Sequence, residues 1–216
     1  MTEQIKNTIE ALKKNNMLPF YAEKKEDIMP IIKELIKEGD SVAFGGSVTL
    51  DTIGAVEELR NGNYDIIDRY KSDISPEERI KCFKKAFTAD VFLTSTNALT
   101  VKGELVNVDG NGNRVAAMIY GPDSVIVVAG INKLVKNSEE GFERIKKIAA
   151  PKNCVRLGIE SYCYYKGSCM ALCDSEHSLS DGCKAQGRIC CDYVVQGYQR
   201  AKDRIKVIIC GEALGY

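Results

Sequence analysis

The chain has 216 residues, and its 30 Lys and Arg side chains balance its 30 Asp and Glu side chains, so its formal net charge is zero. A balanced chain without a long basic block lacks the electrostatic footprint of a nucleic-acid-binding protein, and no run approaches the roughly 18 apolar residues of a membrane span. Residues 1–17 have the period of a polar amphipathic helix and lack the apolar core of a secretory signal, which predicts a cytoplasmic protein. We expect one α/β domain over residues 1–216, with a cysteine-rich segment at 154–191.

Helices and strands alternate in the first half of the chain. Helical spacing of apolar residues predicts helices at 28–37, 49–60 and 76–87. Short apolar runs predict buried strands at 41–44, 64–68 and 91–94. Ser75 is a candidate N-cap for the third helix because Pro76 follows it at the first helical position.

The second half of the chain begins with a predicted β-hairpin. Two β-like runs, at 104–109 and 114–120, flank the Gly-Asn-Gly-Asn turn at 110–113. A strand at 124–129, a helix at 138–149 and a strand at 205–209 follow. The whole order predicts an α/β fold in which a mostly parallel sheet carries helices on both faces, plus the antiparallel hairpin.

Polar residues follow the predicted strands, which is where α/β proteins place ligand-binding groups. In the turn after strand 41–44, Gly45 and Gly46 let the backbone approach an anion closely, and the hydroxyls of Ser47 and Thr49 offer hydrogen bonds. A tight turn would need the same glycines even without a ligand. In the hairpin, Asp109 and Arg114 offer one carboxylate and one guanidinium, while the adjacent glycines also suit an ordinary turn. After strand 124–129, Lys133 either neutralises an anionic ligand or begins a solvated loop.

Taken together, these strand ends predict a binding site for an anionic small molecule. Asn97, Asn107 and Arg114 carry the most weight because they interrupt apolar strands, where a buried polar side chain needs a partner. The candidate ligand-binding residues are Gly45, Gly46, Ser47, Thr49, Asn97, Asn107, Asp109, Arg114, Gly130, Asn132 and Lys133.

The cysteines form a second group of candidate functional residues. Seven of the nine fall between Cys154 and Cys191. Clustered thiols in a cytosolic protein more often bind a metal or do redox chemistry than form disulfides, and four thiolates suit either zinc or an iron–sulfur cluster. Redox-active cysteines and plain reduced thiols are the alternatives. Cys82 and Cys210 lie in apolar patterns and are expected to be core residues.

Four motifs resemble the lactate-utilisation (LUD) domain family. They are GGS-x-T-L at 45–50, NALT-x-x-GELVNVDGNGNRVA at 97–116, GP at 121–122 and VIVVAGINK at 125–133, and the resemblance extends over about residues 5–216. It implies a fold similar to the ribose-5-phosphate isomerase and CoA transferase group, with a ligand crevice at the strand ends. It also implies a role in oxidising lactate or another 2-hydroxy acid, alongside iron–sulfur or oxidoreductase protein partners. The catalytic glutamate motif of CoA transferases and the DGAD-type motif of the isomerases are not matched, so neither activity is transferred.

The C-terminal segment of this chain also resembles that of a subset of single-domain relatives. In those relatives the segment reads PC-x-x-TG-x-C-x-x-C, followed later by RIC. Alignment with that tail implies a metal site whose ligands are Cys163, Cys169, Cys173 and Cys190. This chain departs from the pattern in two spacings, so another residue could replace one of the four. The replacements are Cys183, Cys191 and His177, the last of which also fits a plain exposed loop position.

Two hypotheses for the function follow. The first is a subunit or accessory protein in 2-hydroxy acid oxidation that binds an anionic substrate at the strand ends. The second is a non-catalytic metabolite-binding or assembly protein with a structural zinc tail. The second gains some weight because no histidine, the commonest general base, is found near the proposed site.

Overall fold

The computed structural model describes residues 1–216. Its strands are β1 (Leu18–Ala22), β2 (Ser41–Phe44), β3 (Asp65–Ile67), β4 (Val91–Ser95), β5 (Ala98–Thr100), β6 (Leu105–Asp109), β7 (Ser124–Gly130), β8 (Leu134–Val135), β9 (Asp192–Gln196) and β10 (Ile205–Cys210). Its α-helices are α1 (Glu3–Lys14), α2 (Ile28–Leu35), α3 (Val48–Thr52), α4 (Ala55–Arg60), α5 (Pro76–Lys85), α6 (Asn113–Ile119), α7 (Ser138–Arg144), α8 (Ala150–Leu157) and α9 (Tyr162–Lys166).

The main sheet has six strands in the order β1-β10-β7-β4-β2-β3, and all of its neighbouring pairs are parallel. A second sheet has the order β8-β5-β6-β9, in which β5 pairs antiparallel with β6 and β6 antiparallel with β9. From β2 the chain continues to β3 on one side, whereas β4 leads on to β7 on the other. This reversal creates a crevice at the carboxyl ends of β2 and β4, where open α/β sheets bind ligands.

Each face of the main sheet carries its own core. On one face Ile5 and Leu12 of α1 and Met118 of α6 pack with Phe92 and Val127 of the sheet. The opposite face is covered by α2, α3 and α4. Its largest fully buried helix side chains are Ile28, Ile32, Leu50 and Leu59. The fold class expected from the sequence, a mostly parallel sheet with helices on both faces, is therefore confirmed.

The predicted hairpin at 104–120 is wrong in its second half. Residues 104–109 form a strand as expected, but the chain from Asn113 to Ile119 is helix α6. The Asp109 carboxylate accepts hydrogen bonds from the backbone N–H groups of Asn111 and Gly112, and Gly112 has a φ of +72°, so the turn leads into a helix. Both edges of β6 are already paired, with β5 and β9, which leaves no edge for a returning strand. The antiparallel hairpin of the fold is β5–β6 instead.

Two predicted helices also differ from the observed ones. The helix expected at 49–60 is divided into α3 and α4 at Gly54, whose φ is +65°. The helix expected at 138–149 continues through a π-helical turn, Ile145–Ala149, into α8, which extends it to Leu157. The wider π turn ends two residues before Pro151, which lacks an N–H and would clash with a regular preceding turn. None of the helices combines the length and apolar character needed to cross a membrane.

Candidate functional site

A crevice of about 270 Å³ lies at the carboxyl ends of the central strands of the main sheet. The loops after β2, β3, β4 and β7 reach it, together with the start of α6 and the face of α8. Four cationic side chains and one carboxylate line it: Arg69, Arg114, Lys133, Arg156 and Asp109. The excess of positive charge makes the crevice complementary to an anion.

The turn after β2 forms one wall of the crevice. A Cβ atom at Gly45 would overlap the Thr94 hydroxyl, so only glycine fits there. Gly46 and Ser47 face the crevice, and the Ser47 hydroxyl accepts a hydrogen bond from the Leu50 N–H at 3.3 Å, which caps α3. The turn thus has a structural role at Gly45 and Ser47, while Gly46 remains exposed at the crevice.

Lys133 is the most unusual residue of the crevice. Its side chain follows β7 in a 3₁₀ turn, and the residue is only 3% exposed. Nζ lies 2.8 Å from Thr49 Oγ1, 2.9 Å from Ser95 Oγ and 3.2 Å from the Thr96 carbonyl oxygen. The Ser95 and Thr49 hydroxyls in turn donate to the carbonyl groups of Val128 and Leu214, so both hydroxyl oxygens accept from Lys133.

Three acceptors around Nζ suit an ammonium group, yet no carboxylate pairs with it. Burial, helped by the nearby charges of Arg144 and Arg114, lowers the pKa of Lys133 to about 7. The chain therefore places a buried amine that is close to losing its proton at the wall of a basic crevice. An anion bound beside it would restore the charged form.

Arg114 lines the crevice, but its donors are directed into the protein. Its Nε forms an ion pair with Asp109 at 3.3 Å, and both groups are nearly buried. Its terminal nitrogens donate to Asn107 Oδ1 (2.7 Å), Ser95 O (3.2 Å), Val108 O (3.0 Å) and Asn97 Oδ1 (3.2 Å). Burial lowers the pKa of Arg114, and Asp109 opposes that shift. Arg114 thereby ties β4 to the β5–β6 hairpin and holds the wall in place.

Arg69 differs from Arg114 because it forms no hydrogen bond or ion pair within the chain, and its Nε is buried without a partner. Its guanidinium lies over the rings of Phe83 (4.6 Å) and Tyr70 (5.2 Å), next to Gly46. These stacking contacts fix its position while its N–H donors stay unused. Arg69 is therefore the guanidinium in the crevice that is free to bind an anion.

The structure brings together six of the eleven residues that the sequence proposed for this site. Those lining the crevice are Gly46, Ser47, Asn97, Asp109, Arg114 and Lys133. Gly45, Thr49 and Asn107 lie directly behind its walls. Gly130 and Asn132 are placed differently because they hold the C-terminal residues: the Asn132 side chain accepts from Leu214 N at 3.0 Å and donates to Gly215 O at 3.1 Å.

Four polar residues of the crevice, Arg69, Asn153, Arg156 and Tyr216, were missed from the sequence. Arg69 lies two residues after the end of β3, so the strand-end rule used for the other groups could have found it. Arg156, Asn153 and Tyr216 form a hydrogen-bonded group on the α8 side, with Arg156 Nε 3.1 Å from the Tyr216 hydroxyl. No local pattern marks these helix and C-terminal positions.

Five sulfurs of the cysteine-rich segment line a second, apolar cavity, which we call the cysteine cavity. They belong to Cys154, Cys163, Cys169, Cys183 and Cys190. Of the four cysteines that the family tail implied as ligands, Cys173 is the exception: it is exposed, and its sulfur lies 3.7 Å from the Tyr162 hydroxyl. Burial raises the pKa of Cys154 to about 11 and that of Cys190 to about 12.

The remaining candidates of the segment are outside this cavity. Cys191 is exposed, and His177 Nδ1 contacts the Asp174 carbonyl in an exposed loop. Cys154 and Cys163 have their sulfurs 3.5 Å apart, but no three His, Cys, Asp or Glu side chains are already grouped at the spacing of a bound metal ion. Ile145, Ala150, Ile189 and Cys190 line both the crevice and the cysteine cavity and separate the two.

The chain is similar in sequence to one protein family and in fold to several solved structures. The family model of the LUD domain matches residues 5–210. The crystal structure of a DUF162 family protein from Deinococcus radiodurans is similar with a TM-score of 0.51 and 15% identity, covering 97% of each chain. Weaker similarities are to eIF2B delta from Chaetomium thermophilum (TM-score 0.36, 15% identity, 62% of this chain and 54% of the other) and ribose 5-phosphate isomerase A from Methanocaldococcus jannaschii (0.35, 15%, 62% and 64%). No curated protein matches the sequence.

Proposed function

The chain belongs to the LUD domain family, and from this premise we propose that it is a lactate-utilisation protein whose crevice binds an anionic small molecule. The ligand class that we propose is lactate or another 2-hydroxy acid, and the role is that of a subunit or accessory protein in its oxidation. The observation that carries the proposal is Lys133, a buried amine with three acceptors and no carboxylate partner at the crevice wall. A carboxylate ligand would supply the missing negative charge.

The ligand would be held from two sides. Lys133 lies at the base of the crevice, and the unused donors of Arg69 lie across the glycine turn at Gly46. An arginine fork suits a planar carboxylate because it can donate two parallel hydrogen bonds. Asn97 and Asp109 stay engaged with Arg114, so they shape the wall.

Oxidising a 2-hydroxy acid to a 2-oxo acid releases two electrons and two protons. Because the bound anion keeps Lys133 in its ammonium form, Lys133 holds the carboxylate of the ligand and does not accept the proton of the hydroxyl group. The amino-acid side chains of the crevice do not take up electrons, so we assign the uptake of both electrons and both protons to an iron–sulfur or other oxidoreductase protein partner. This division of labour is the accessory role stated above.

Non-catalytic metabolite binding is the second candidate, and the pairing of Asp109 with Arg114 favours it. Arg114 holds Asp109, and the bound anion keeps Lys133 protonated, so the crevice offers no free general base near neutral pH. Turnover separates the candidates: lactate-dependent reduction of an artificial electron acceptor by the chain with its partner supports the first, and binding without any effect on turnover supports the second.

Binding itself is tested by isothermal titration calorimetry with L-lactate, D-lactate and pyruvate, using chloride and sulfate to measure non-specific anion binding. Lys133→Met keeps the length of the side chain and removes its charge, and we expect it to weaken binding at least roughly tenfold. Lys102→Met is the matched control because Lys102 is exposed and outside the crevice. Equal affinities of wild type and Lys133→Met, or equal affinity for chloride and lactate, would refute the proposed site.

A further inference from the structure

We propose that the cysteine cavity binds a single tetrahedral metal ion of the zinc type through the thiolates of Cys154, Cys163, Cys169 and Cys190. This site is separate from the anion crevice and does not depend on the function proposed for it. The set differs from the one implied by the family tail because Cys154 takes the place of Cys173.

The four sulfurs come from four different parts of the chain. Cys154 is on α8, Cys163 is on α9, Cys169 precedes a 3₁₀ turn, and Cys190 lies just before β9. Only the tertiary fold brings them to one cavity. Convergence of thiols from separate elements is typical of structural metal sites, which cross-link a loop-rich segment.

The dimensions of the cavity favour one ion. With Zn–S bonds of about 2.3 Å, two ligands of a tetrahedral ion are roughly 3.8 Å apart. The Cys154 and Cys163 sulfurs are already 3.5 Å apart. A four-iron cluster binds each cysteine through a different iron atom, which separates the sulfurs further. The open space of about 20 Å³ is enough for one water-sized species, which suits a single ion. The sulfurs of Cys169 and Cys190 line the same cavity and would move towards the ion to complete its coordination, because no three ligand side chains are yet grouped at metal-binding spacing.

Charges beside the cavity suit an anionic thiolate centre. Four thiolates and one divalent ion carry two negative charges. Lys146, which is 5% exposed, and Arg188 both line the cavity and carry two positive charges, with Asp181 as the carboxylate at its rim. The Arg188 guanidinium donates to the carbonyl groups of Ser180, Cys183 and Cys190, so it fixes the backbone of the loop and leaves the sulfurs free.

Binding is balanced in atoms and charge. Each of the four S–H groups releases its proton to solvent as its sulfur forms a bond to the metal ion, so no oxidant or reductant is needed. Cys183 is the fifth sulfur of the cavity. A tetrahedral ion takes four sulfurs, and we assign Cys183 no bond to it, a choice that the Cys183→Ser variant tests.

The test is the metal content of the full chain, purified without oxygen and measured by mass spectrometry together with acid-labile sulfide. We expect about one zinc per chain, no sulfide, and loss of the zinc in each Ser variant of Cys154, Cys163, Cys169 and Cys190. Cys173→Ser and Cys191→Ser are matched controls because both thiols are in the same segment but exposed, and they and Cys183→Ser should keep the zinc. Iron with sulfide, a metal-free wild type, or zinc lost on Cys173→Ser would overturn the proposal.

A second measurement needs no variants, so misfolding cannot obscure it. Cobalt(II) replaces zinc in the wild-type chain, and its absorption spectrum reports tetrahedral thiolate coordination. Intense visible bands with thiolate charge transfer support the site, whereas the weak bands of octahedral cobalt refute it. Lactate binding is measured on the same samples, so failure of the crevice and failure of the metal site are told apart.

Discussion

The crevice and the cysteine cavity share a wall, yet their buried polar groups are satisfied in different ways. In the crevice, every donor of Arg114 and of Lys133 already has an acceptor within the chain. In the cysteine cavity, the thiols of Cys154 and Cys163 contact each other and the Ser161 hydroxyl. A hydrogen-bonded sheet supports the crevice, so it is organised before the proposed ligand arrives, whereas the cysteine cavity would depend on the metal ion proposed for it.

The largest effect is expected for Arg114, which we infer to organise the wall of the crevice. Arg114→Ala leaves the nearly buried Asp109 carboxylate without its cation and removes the ties to the β5–β6 hairpin, so we expect a loss of about 3–5 kcal/mol in the free energy of unfolding. Urea denaturation measures it. Arg79→Ala, on the exposed face of α5, is the control and should change stability by less than about 0.5 kcal/mol. A loss under about 1 kcal/mol at Arg114 would show that the wall does not depend on it.

Arg69 tests ligand binding separately from stability, because it is the guanidinium of the crevice that the chain leaves without hydrogen bonds. We expect Arg69→Gln to lower lactate affinity by about 1.5–3 kcal/mol, roughly tenfold to a hundredfold, because charge-assisted hydrogen bonds to the ligand are lost. Stability should fall by only about 0.5–1 kcal/mol, from the lost contacts with Phe83 and Tyr70. Calorimetry gives the first value and urea denaturation the second. The exposed Arg200→Gln is the control, and a larger effect on stability than on affinity would contradict the assignment.

The pH dependence of binding tests whether the missing charge beside Lys133 belongs to the ligand. The pKa of Lys133 is about 7 in the free chain, and a bound anion raises it because it favours the ammonium form. Affinity for lactate should therefore be highest below pH 7 and decrease above it by up to about tenfold per pH unit, with proton uptake on binding. Titrations from pH 6 to 9 in buffers of different ionisation enthalpy measure both. Lys133→Met should remove the dependence; a pH-independent affinity in the wild type would exclude Lys133 from the site.

The smallest expected change in stability is at two N-cap serines, one in each of the two regions. Ser47 caps α3 beside the main sheet, and Ser161 caps α9 beside the cysteine cavity. We expect Ser47→Ala to lower the global stability by about 1 kcal/mol and Ser161→Ala by less, because the cysteine-rich segment opens locally without unfolding the sheet. Hydrogen exchange at the capped amides of Leu50 and Tyr164 reports each opening. Equal global losses would show that the two regions unfold as one.

Local patterns predicted the strands of the main sheet well, because buried parallel strands are short apolar runs bounded by turn residues. Residues 41–44 match β2 exactly in their bounds, and β3, β4, β7 and β10 differ from their predicted ranges by one or two residues at an end. β1 was missed because it contains Pro19, which lacks the N–H of a central strand; β1 is an edge strand, where proline is tolerated.

Local sequence patterns predicted the α/β class and six of the residues that line the crevice, because strand ends and glycine turns are properties of neighbouring residues. The tertiary structure alone decided which charged groups are free, since only distances across the fold show that Arg114 is fully paired and Arg69 is not. It also decided which cysteines share a cavity: spacing along the chain favours Cys173, whereas the packing of α8 brings Cys154 to the others. Contacts between distant residues depend on how elements pack, and no local pattern encodes that.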